Sequence, residues 1–198
     1  MKQFFKDAKG HLMTGIGYML PLIIGASLVV AIPKLIALCF GITSLDPYAD
    51  GTGVWHIMKL IENVGWTGIG MVNTVLAGFI AYSIADKPAI GAGFIGGAVA
   101  SSTYAGFLGA VIAAFIAGYT VKWAKKHIHL PESMGSVMPL VVCPLIATGF
   151  VAIIMGVILA TPLAAINTWL VNWISSMCQN QSSQLVMAMI LGAMIASD

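Results

Sequence analysis

The charged residues of this 198-residue chain gather in short clusters, and the long stretches between the clusters carry none. The charge-free stretches are residues 12–33, 65–85, 89–121 and 138–166. A helix needs roughly 20 apolar residues to cross a hydrocarbon core about 30 Å thick, so each stretch is long enough to cross a membrane. With 59% hydrophobic and 8% charged residues, the chain cannot cover a soluble globule with a polar surface. This composition excludes soluble enzymes, nucleic-acid-binding proteins and disordered chains.

The lengths and ends of these stretches predict the helices. Residues 65–85 end at Asp86, Lys87 and Pro88, because proline lacks an N–H and disfavours helix in the residue before it. Residues 89–121 would form a helix about 50 Å long, too long for one crossing, so we expect a fold-back near residues 101–104. With the last apolar stretch, 185–196, the pattern predicts an all-α polytopic membrane protein with about five to six transmembrane or re-entrant helices.

The lysines between the stretches predict the orientation, because cytoplasmic loops carry an excess of positive charge. The tail 2–9 has three lysines and one aspartate, and the segment 122–132 has three lysines and one glutamate. The segment 43–64 has three acids and one lysine, and the segment 167–184 is an uncharged loop in this interpretation. We therefore expect the N-terminus and residues 122–132 in the cytoplasm and residues 43–64 outside.

A broad face of small residues follows the expected fold-back. Its members recur every four residues in two adjacent rows: Gly106, Ala110, Ala114 and Gly118, beside Gly109, Ala113 and Ala117. Small residues let helix backbones approach closely in a membrane, where no hydrophobic drive brings helices together. The face predicts helix packing, either as a sliding or oligomeric interface or as a static contact within one chain.

Two patterns look like cofactor or phosphoryl sites, but packing explains them better. Residues 91–96 match G-x-G-x-x-G, which binds dinucleotides only after a strand, whereas this copy lies in a membrane hairpin. Cys143, followed by Pro144, has the form of a phosphorylatable motif, but it lies in an apolar run, so we expect a buried structural cysteine. Three scattered cysteines are too few for a zinc site or a disulfide framework.

Two charged motifs give weak metal signals. His127 and His129 lie beside lysines, and we interpret residues 121–130 as a basic helix lying at anionic lipid headgroups. Asp46 and Asp50 could bind a cation, but a solvated loop is the favoured interpretation. We therefore predict no metal site, no cofactor and no catalytic residue in this chain.

Polar groups inside the apolar stretches are stronger candidates, since each needs a partner away from water. Asn73 and Ser83 lie in the second stretch, and Asn167 follows the proline-rich stretch. The first ionisable group within an apolar segment is Asp198, the last residue. Asn167 and Asp198 are therefore the candidate substrate-binding residues.

Several blocks along the chain form an ordered set. I-A-D-K-P at residues 84–88 is followed by G-F-I-G-G at 93–97, G-F-L-G-A at 106–110 and A-G-Y at 117–119. Further blocks begin at Leu12, Met138 and Asn167. Together they resemble the fructose-type IIC components, which are the membrane permeases of the bacterial sugar phosphotransferase system.

This resemblance implies a multi-pass permease of the bacterial inner membrane, dimeric through its N-terminal half, that takes a fructose-like hexose. A IIB partner would phosphorylate the sugar, so this chain would be part of a phosphotransferase complex without being the phosphoryl donor. The resemblance also implies that residues 1–198 form the N-terminal part of a IIC domain. We therefore expect an inactive fragment that lacks the substrate-binding half.

Two alternatives remain open at this stage. One is half of an ion-coupled secondary transporter, because such proteins bind their substrates at broken helices near the midplane of the membrane. The other is a structural membrane subunit without a ligand. Uptake that needs an ion gradient and no phosphoenolpyruvate would favour the first, and a stable assembly that no sugar affects would favour the second.

Overall fold

The computed structural model describes residues 2–128 and 137–179, in which helices alternate with short connections. The α-helices are α1 (Lys2–Cys39), α2 (Val54–Gly70), α3 (Val72–Ala85), α4 (Lys87–Ser102), α5 (Gly106–His127), α6 (Cys143–Ile153) and α7 (Ala160–Gln179). A 3₁₀ turn spans Asp46–Tyr48, and π-helical segments span Met138–Val142 and Ile154–Leu159. These two ranges contain no strand, and the predicted all-α class is confirmed.

Four helical segments in the described ranges are long and apolar enough to cross a membrane. They are Lys6–Cys39, Val54–Ala85, Gly106–His127 and Met138–Ser176. Helix α4 has 16 residues and is therefore only about 24 Å long, shorter than the hydrocarbon core. The prediction of an all-α polytopic membrane protein is confirmed.

The second crossing begins earlier than the sequence predicted. Residues 54–64, expected to belong to an external loop, form most of α2, and only residues 40–53 connect α1 to it. The charges of Lys59 and Glu62 suggested a loop, but both side chains are paired and buried, so the helix tolerates them. Met71 separates α2 from α3, and the two helices together form one long bent segment.

The fold-back predicted near residues 101–104 is confirmed. Helix α4 ends at Ser102, three residues form the turn, and α5 begins at Gly106. The backbone takes left-handed values at both ends of α4, with φ of 61° at Asp86 and 58° at Tyr104. L-residues adopt this region rarely, so both turns depend on the contacts around them.

Two further segments, predicted as an interfacial helix and as a loop, are parts of long apolar helices. Residues 121–127 are the end of α5 rather than a separate interfacial helix, because Val121 and Ala124 continue its buried face. Residues 167–179 belong to α7 rather than to a loop, because they carry enough apolar residues to extend the span. Prolines at 139, 144 and 162 lie in this last helical segment without ending it.

Helix α3 is the centre of the bundle. It packs against α1, α4 and α5, while α6 packs against α4 and α5 on the far side. Leu76 and Ile80 of α3 are fully buried. Helices α3 and α4 approach closely, since a Cβ built on Gly93 would lie 2.7 Å from the carbonyl oxygen of Ala77. Gly93 and Gly96 of the 91–96 motif therefore serve helix packing, as predicted, whereas Gly91 faces open space.

Candidate functional site in the helix bundle

The small-residue face of α5 lies inside the protomer. Its residues Gly109, Ala110, Ala113, Ala114, Ala117 and Gly118 are buried, and Gly106 at the start of the helix is half-buried. A Cβ built on Gly96 of α4 would lie 2.9 Å from the Cβ of Ala113, and one built on Gly118 would lie 2.8 Å from Ile84 of α3. The face therefore contacts helices of the same chain.

The turn between α4 and α5 carries a group of polar side chains among the apolar helices. We call residues 101–105 the hairpin tip. Asn73 on α3 donates a hydrogen bond from Nδ2 to Oγ of Ser101 at 3.1 Å. Asn167 on α7 donates from Nδ2 to the carbonyl oxygen of Tyr104 at 3.0 Å. Two asparagines from distant parts of the sequence thus hold the tip from two sides.

Gly106 also favours the position of Asn167 at this turn. Gly106 has a φ of 61°, and a Cβ there would lie 2.8 Å from Oδ1 of Asn167. The missing side chain at residue 106 therefore makes room for the carboxamide. Of the two candidate substrate-binding residues, Asn167 is brought to the hairpin tip, and Asp198 lies outside the described residues.

A second polar group lies where α1, α2 and their connection meet. Lys34 and Lys59 contact the two carboxylate oxygens of Glu62 at 3.1 Å and 3.2 Å, and Lys59 also contacts Asp46 at 2.5 Å. Trp66 donates its Nε1–H to Glu62 at 3.0 Å, and the Lys34 ammonium lies 5.2 Å from the centre of the Trp66 ring. We call Lys34, Asp46, Lys59 and Glu62 the ion-pair cluster, and it is neutral overall.

Asp46 is the member of this cluster outside the membrane-spanning segments. The hydrogen bond from Lys59, and after it that from Ser44, lower the pKa of Asp46 below its ordinary value of 3.8. The Asp46 carboxylate is therefore already paired with Lys59. The described residues contain no group of three side chains suited to hold a metal ion.

The other end of the bundle is rich in lysine. We call it the lysine-rich end, with Lys6, Lys9, Lys87, Lys122, Lys125 and Lys126. Lys125 donates to the carbonyl oxygen of Ala85 at 2.7 Å and lies 3.4 Å from Asp86, so it ties α5 to the end of α3. Beside this contact is an open cavity of about 670 Å³, lined among others by Tyr82, Lys87 and Pro139.

One polar contact between helices was missed by the sequence analysis. His11 of α1 shares a hydrogen bond of 2.8 Å with Ser83 of α3, and Ser83 donates to Thr14 at 3.4 Å. The signal was present, because His11 and Thr14 are three residues apart and so lie on one helix face. The predicted first span begins at residue 12 and therefore excludes His11.

The other candidate residues from the sequence, Cys143 and His127, make packing and hydrogen-bond contacts. Cys143 is buried among apolar residues, as its sequence context predicts. His127 stacks on Trp123 at 5.1 Å between ring centres and contacts the Trp123 carbonyl oxygen through Nδ1. His129 lies outside the described residues, so the proposed histidine pair is not described.

Comparison with known proteins gives a consistent result. A family model described as "Phosphotransferase system, EIIC" matches residues 13–197. The chain is 36% identical over 189 residues to the "PTS system fructose-specific EIIABC component" of Bacillus subtilis, covering 95% of this chain and 29% of that protein. It is 33% identical over 197 residues to the "Fructose-like permease IIC component 2" of Escherichia coli, covering 99% of this chain and 52% of that protein.

A third relative carries a different substrate in its name. The chain is 34% identical over 198 residues to the "PTS system 2-O-alpha-mannosyl-D-glycerate-specific EIIABC component" of Escherichia coli, covering 100% of this chain and 29% of that protein. The chain thus spans about half the length of the IIC relative and less than a third of the two EIIABC relatives. No solved structure matches the chain.

Proposed function

The chain belongs to the EIIC family of the phosphotransferase system, and from this membership we propose that it forms membrane-spanning structure of a permease for a fructose-like sugar. It is a multi-pass protein of the bacterial inner membrane. The observation that carries the proposal is the family match over residues 13–197, which includes three of the four membrane-length segments in full and most of the first. The proposed role of residues 1–198 is that of the N-terminal, dimerising part of the IIC domain.

The proposed partner is a IIB protein or domain. Two relatives are named EIIABC components, so IIC accompanies IIB in those proteins. The lysine-rich end is the proposed cytoplasmic side, because positive residues favour that side. A IIB partner would approach there, beside the cavity at Lys87 and Lys125. Cys143 is buried and so is poorly placed to accept a phosphoryl group from a soluble donor.

The proposed sugar contact within this chain is Asn167. Its amide N–H already donates to Tyr104, and a carboxamide also offers an acceptor oxygen, which suits a hydroxyl-rich ligand. Asp198 remains a proposed substrate-binding residue from sequence alone. No cofactor is proposed for this chain.

The proposed homodimer needs a surface other than the small-residue face, which is occupied within the protomer. Helix α1 offers one, because Ile24, Leu28 and Leu35 are exposed on it. Cross-linking of single cysteines at these positions in membranes tests this surface. An ion-coupled transporter is not favoured, since the relatives are phosphotransferase components.

The permease function is tested with a chimera. The aligned segment of the Escherichia coli fructose-like permease IIC component 2 is replaced by this chain, and the chimera is expressed with a IIB protein in cells that lack other fructose permeases. We expect phosphoenolpyruvate-dependent uptake of labelled fructose, recovered inside as sugar phosphate. The control is the same permease with the segment deleted.

Two results of this experiment would contradict the proposed function, and they differ from each other. Uptake at the level of the deletion control, from a chimera that is inserted at normal abundance, would contradict the proposed function. Uptake that survives without phosphoenolpyruvate but stops when the ion gradient is dissipated would instead support the ion-coupled alternative.

A further inference from the structure

We infer that a groove along α5 at the lysine-rich end binds an anionic phospholipid, with one acyl chain in the groove and the headgroup beside Lys126. The inference rests on the apolar lining of the groove, on its length and on the charge at its mouth. It goes beyond the proposed permease function and does not depend on it.

The groove lies between α1, α5 and α6. Helix α1 packs against α2 and α3, whereas α6 packs against α4 and α5. In the described ranges no extensive contact joins α1 to α5 or to α6, so one face of α5 is left open between them. The open space is a cavity of about 680 Å³, lined by α5, by Ala8 of α1 and by Phe150 of α6. Ligand cavities in proteins commonly have this size.

The floor of the groove is a mostly apolar face of α5. Phe115, Tyr119 and Trp123 lie four residues apart along the helix, and Ile116 and Thr120 lie beside them. The rings of Phe115 and Tyr119 stack with 6.1 Å between their centres. Both rings are half-buried, and Trp123 is 50% exposed. This floor therefore offers apolar surface to a hydrocarbon chain.

The groove is about as long as one leaflet of a bilayer is thick. Lys125 marks the lysine-rich end of α5, because it pairs with Asp86 at the end of α3. Phe115 lies ten residues before Lys125, which is about 15 Å at 1.5 Å per residue. The hydrocarbon core is about 30 Å thick, so half of it is also about 15 Å. An acyl chain that begins at the lysines therefore ends near Phe115.

Lys126 places a positive charge at the mouth of the groove. It is exposed and follows Trp123 by three residues and Tyr119 by seven, so it lies on the groove side of α5. The ion pairs in the described ranges involve other lysines, including Lys125, and not Lys126. Trp123 also suits this position, because tryptophan is enriched where the hydrocarbon meets the headgroups.

Helix α1 adds charge from the opposite side of the mouth. Lys6 and Lys9 are exposed and flank Ala8 in sequence, and Asp7 is the acid between them. Each lysine near a membrane surface favours anionic lipid by roughly fivefold in affinity, and basic pockets between membrane helices bind anionic headgroups. A second copy of the chain would bring its own lysines to this end, since both copies cross the membrane in one direction. An anionic lipid is therefore the better-matched occupant.

The test uses a phospholipid with a photoactivatable group near the end of one acyl chain. The 198-residue chain is reconstituted in phosphatidylcholine bilayers that contain a small fraction of the probe, either as phosphatidylglycerol or as phosphatidylcholine. After irradiation, mass spectrometry assigns the labelled residues. Lys126→Gln removes the charge at the mouth. The matched control is Lys87→Gln, which removes an exposed lysine beside the other cavity at the same end.

We expect the phosphatidylglycerol probe to label residues 115–123 and Phe150 at least about fivefold more strongly than the phosphatidylcholine probe does. The same residues should be labelled more strongly than the exposed α1 positions Ile24 and Leu28, which lie outside the groove. Lys126→Gln should lower the labelling by phosphatidylglycerol about fivefold, and Lys87→Gln should change it by less than about twofold.

Three results would overturn the inference. The first is equal labelling of the groove by the two probes, which would show that its lipid is not selected by charge. The second is labelling of residues 115–123 no stronger than that of Ile24 and Leu28. The third is an absence of lipid label in the groove together with cross-links from single cysteines at Phe115 to a second copy, which would make the occupant a protein.

Discussion

Lys34 and Glu62, on consecutive helices and 28 residues apart in sequence, form an ion pair of 3.1 Å within the ion-pair cluster. The Glu62 side chain is only 4% exposed, whereas that of Lys34 is 51% exposed. The buried carboxylate therefore depends on its partners more than the half-exposed lysine does. This asymmetry leads to the first prediction.

Glu62→Gln should destabilise the protein far more than Lys34→Met. Loss of the carboxylate leaves the buried Lys59 with only Asp46 as an anionic partner, and breaking a buried pair typically costs about 3 kcal/mol. Loss of the half-exposed Lys34 leaves Lys59 and Trp66 on Glu62 and should cost less than about 1 kcal/mol. Thermal unfolding midpoints in detergent measure both. Equal shifts for the two variants would show that the cluster does not depend on Glu62.

The contribution of Asp46 should depend on pH. Its pKa is lowered in the folded protein by Lys59 and Ser44, so its stabilising effect is present above the ordinary value of 3.8 and is lost as the pH falls through the folded value. We expect wild type to unfold at a higher temperature than Asp46→Asn at neutral pH. The two midpoints should converge below about pH 4. A constant difference from pH 7 to pH 3 would contradict this assignment.

Ala113→Leu should disrupt the contact between α4 and α5. The Cβ of Ala113 faces Gly96 where even one added carbon would be crowded, so a larger side chain must push the helices apart. Overpacking of this kind costs about 1–3 kcal/mol. Ala98→Leu makes the same change at an exposed position of α4 and is the control. If Ala113→Leu matched this control in midpoint and membrane abundance, the packing would be refuted.

The two ends of the bundle should face opposite sides of the membrane. With the native cysteines replaced, Asp50→Cys should react with an impermeant reagent from outside, and Lys126→Cys only from the cytoplasmic side. The reason is the excess of lysine at the end that contains residue 126. Labelling of both positions from one side would rule out this arrangement.

Asn167→Ala should reduce uptake by the chimera more than Thr168→Ala. The first variant removes the hydrogen bond to Tyr104 and leaves Asn73 as the remaining asparagine that holds the hairpin tip, whereas Thr168 is the exposed neighbouring residue. A lost hydrogen bond of about 1 kcal/mol corresponds to roughly a fivefold effect. Initial rates of labelled fructose uptake, corrected for membrane abundance, provide the measurement. Indistinguishable rates would argue against a role for Asn167 in positioning the tip.

The sequence predicted the hairpin because the stretch 89–121 is too long for one helix and has polar residues at its middle. It also predicted the small-residue face, because a repeat of four residues is visible within one helix. It could not predict which helices would pack on that face. That depends on Gly96 and Ile84, which no local pattern connects to α5.

The errors have a common physical origin. Residues 54–64 were assigned to a loop because Lys59 and Glu62 are charged, but their partners Lys34 and Asp46 belong to other segments. Asn167 was selected as a polar residue near the end of a span, yet its contact with Tyr104 crosses 63 residues. Pairings over such distances decide whether a polar residue can lie within a helix, and one sequence does not reveal them.

The ion-pair cluster also bears on how the protein enters the membrane. Lys34 is synthesised well before Glu62, so the first helix reaches the translocation machinery with an uncompensated positive charge at its leading end. Positive residues resist transfer across the membrane. The charge is neutralised only when the second helix has been made and lies beside the first. With the lysine-rich end on the proposed cytoplasmic side, we therefore expect α1 to be held across the membrane more firmly once α2 has been made than before it.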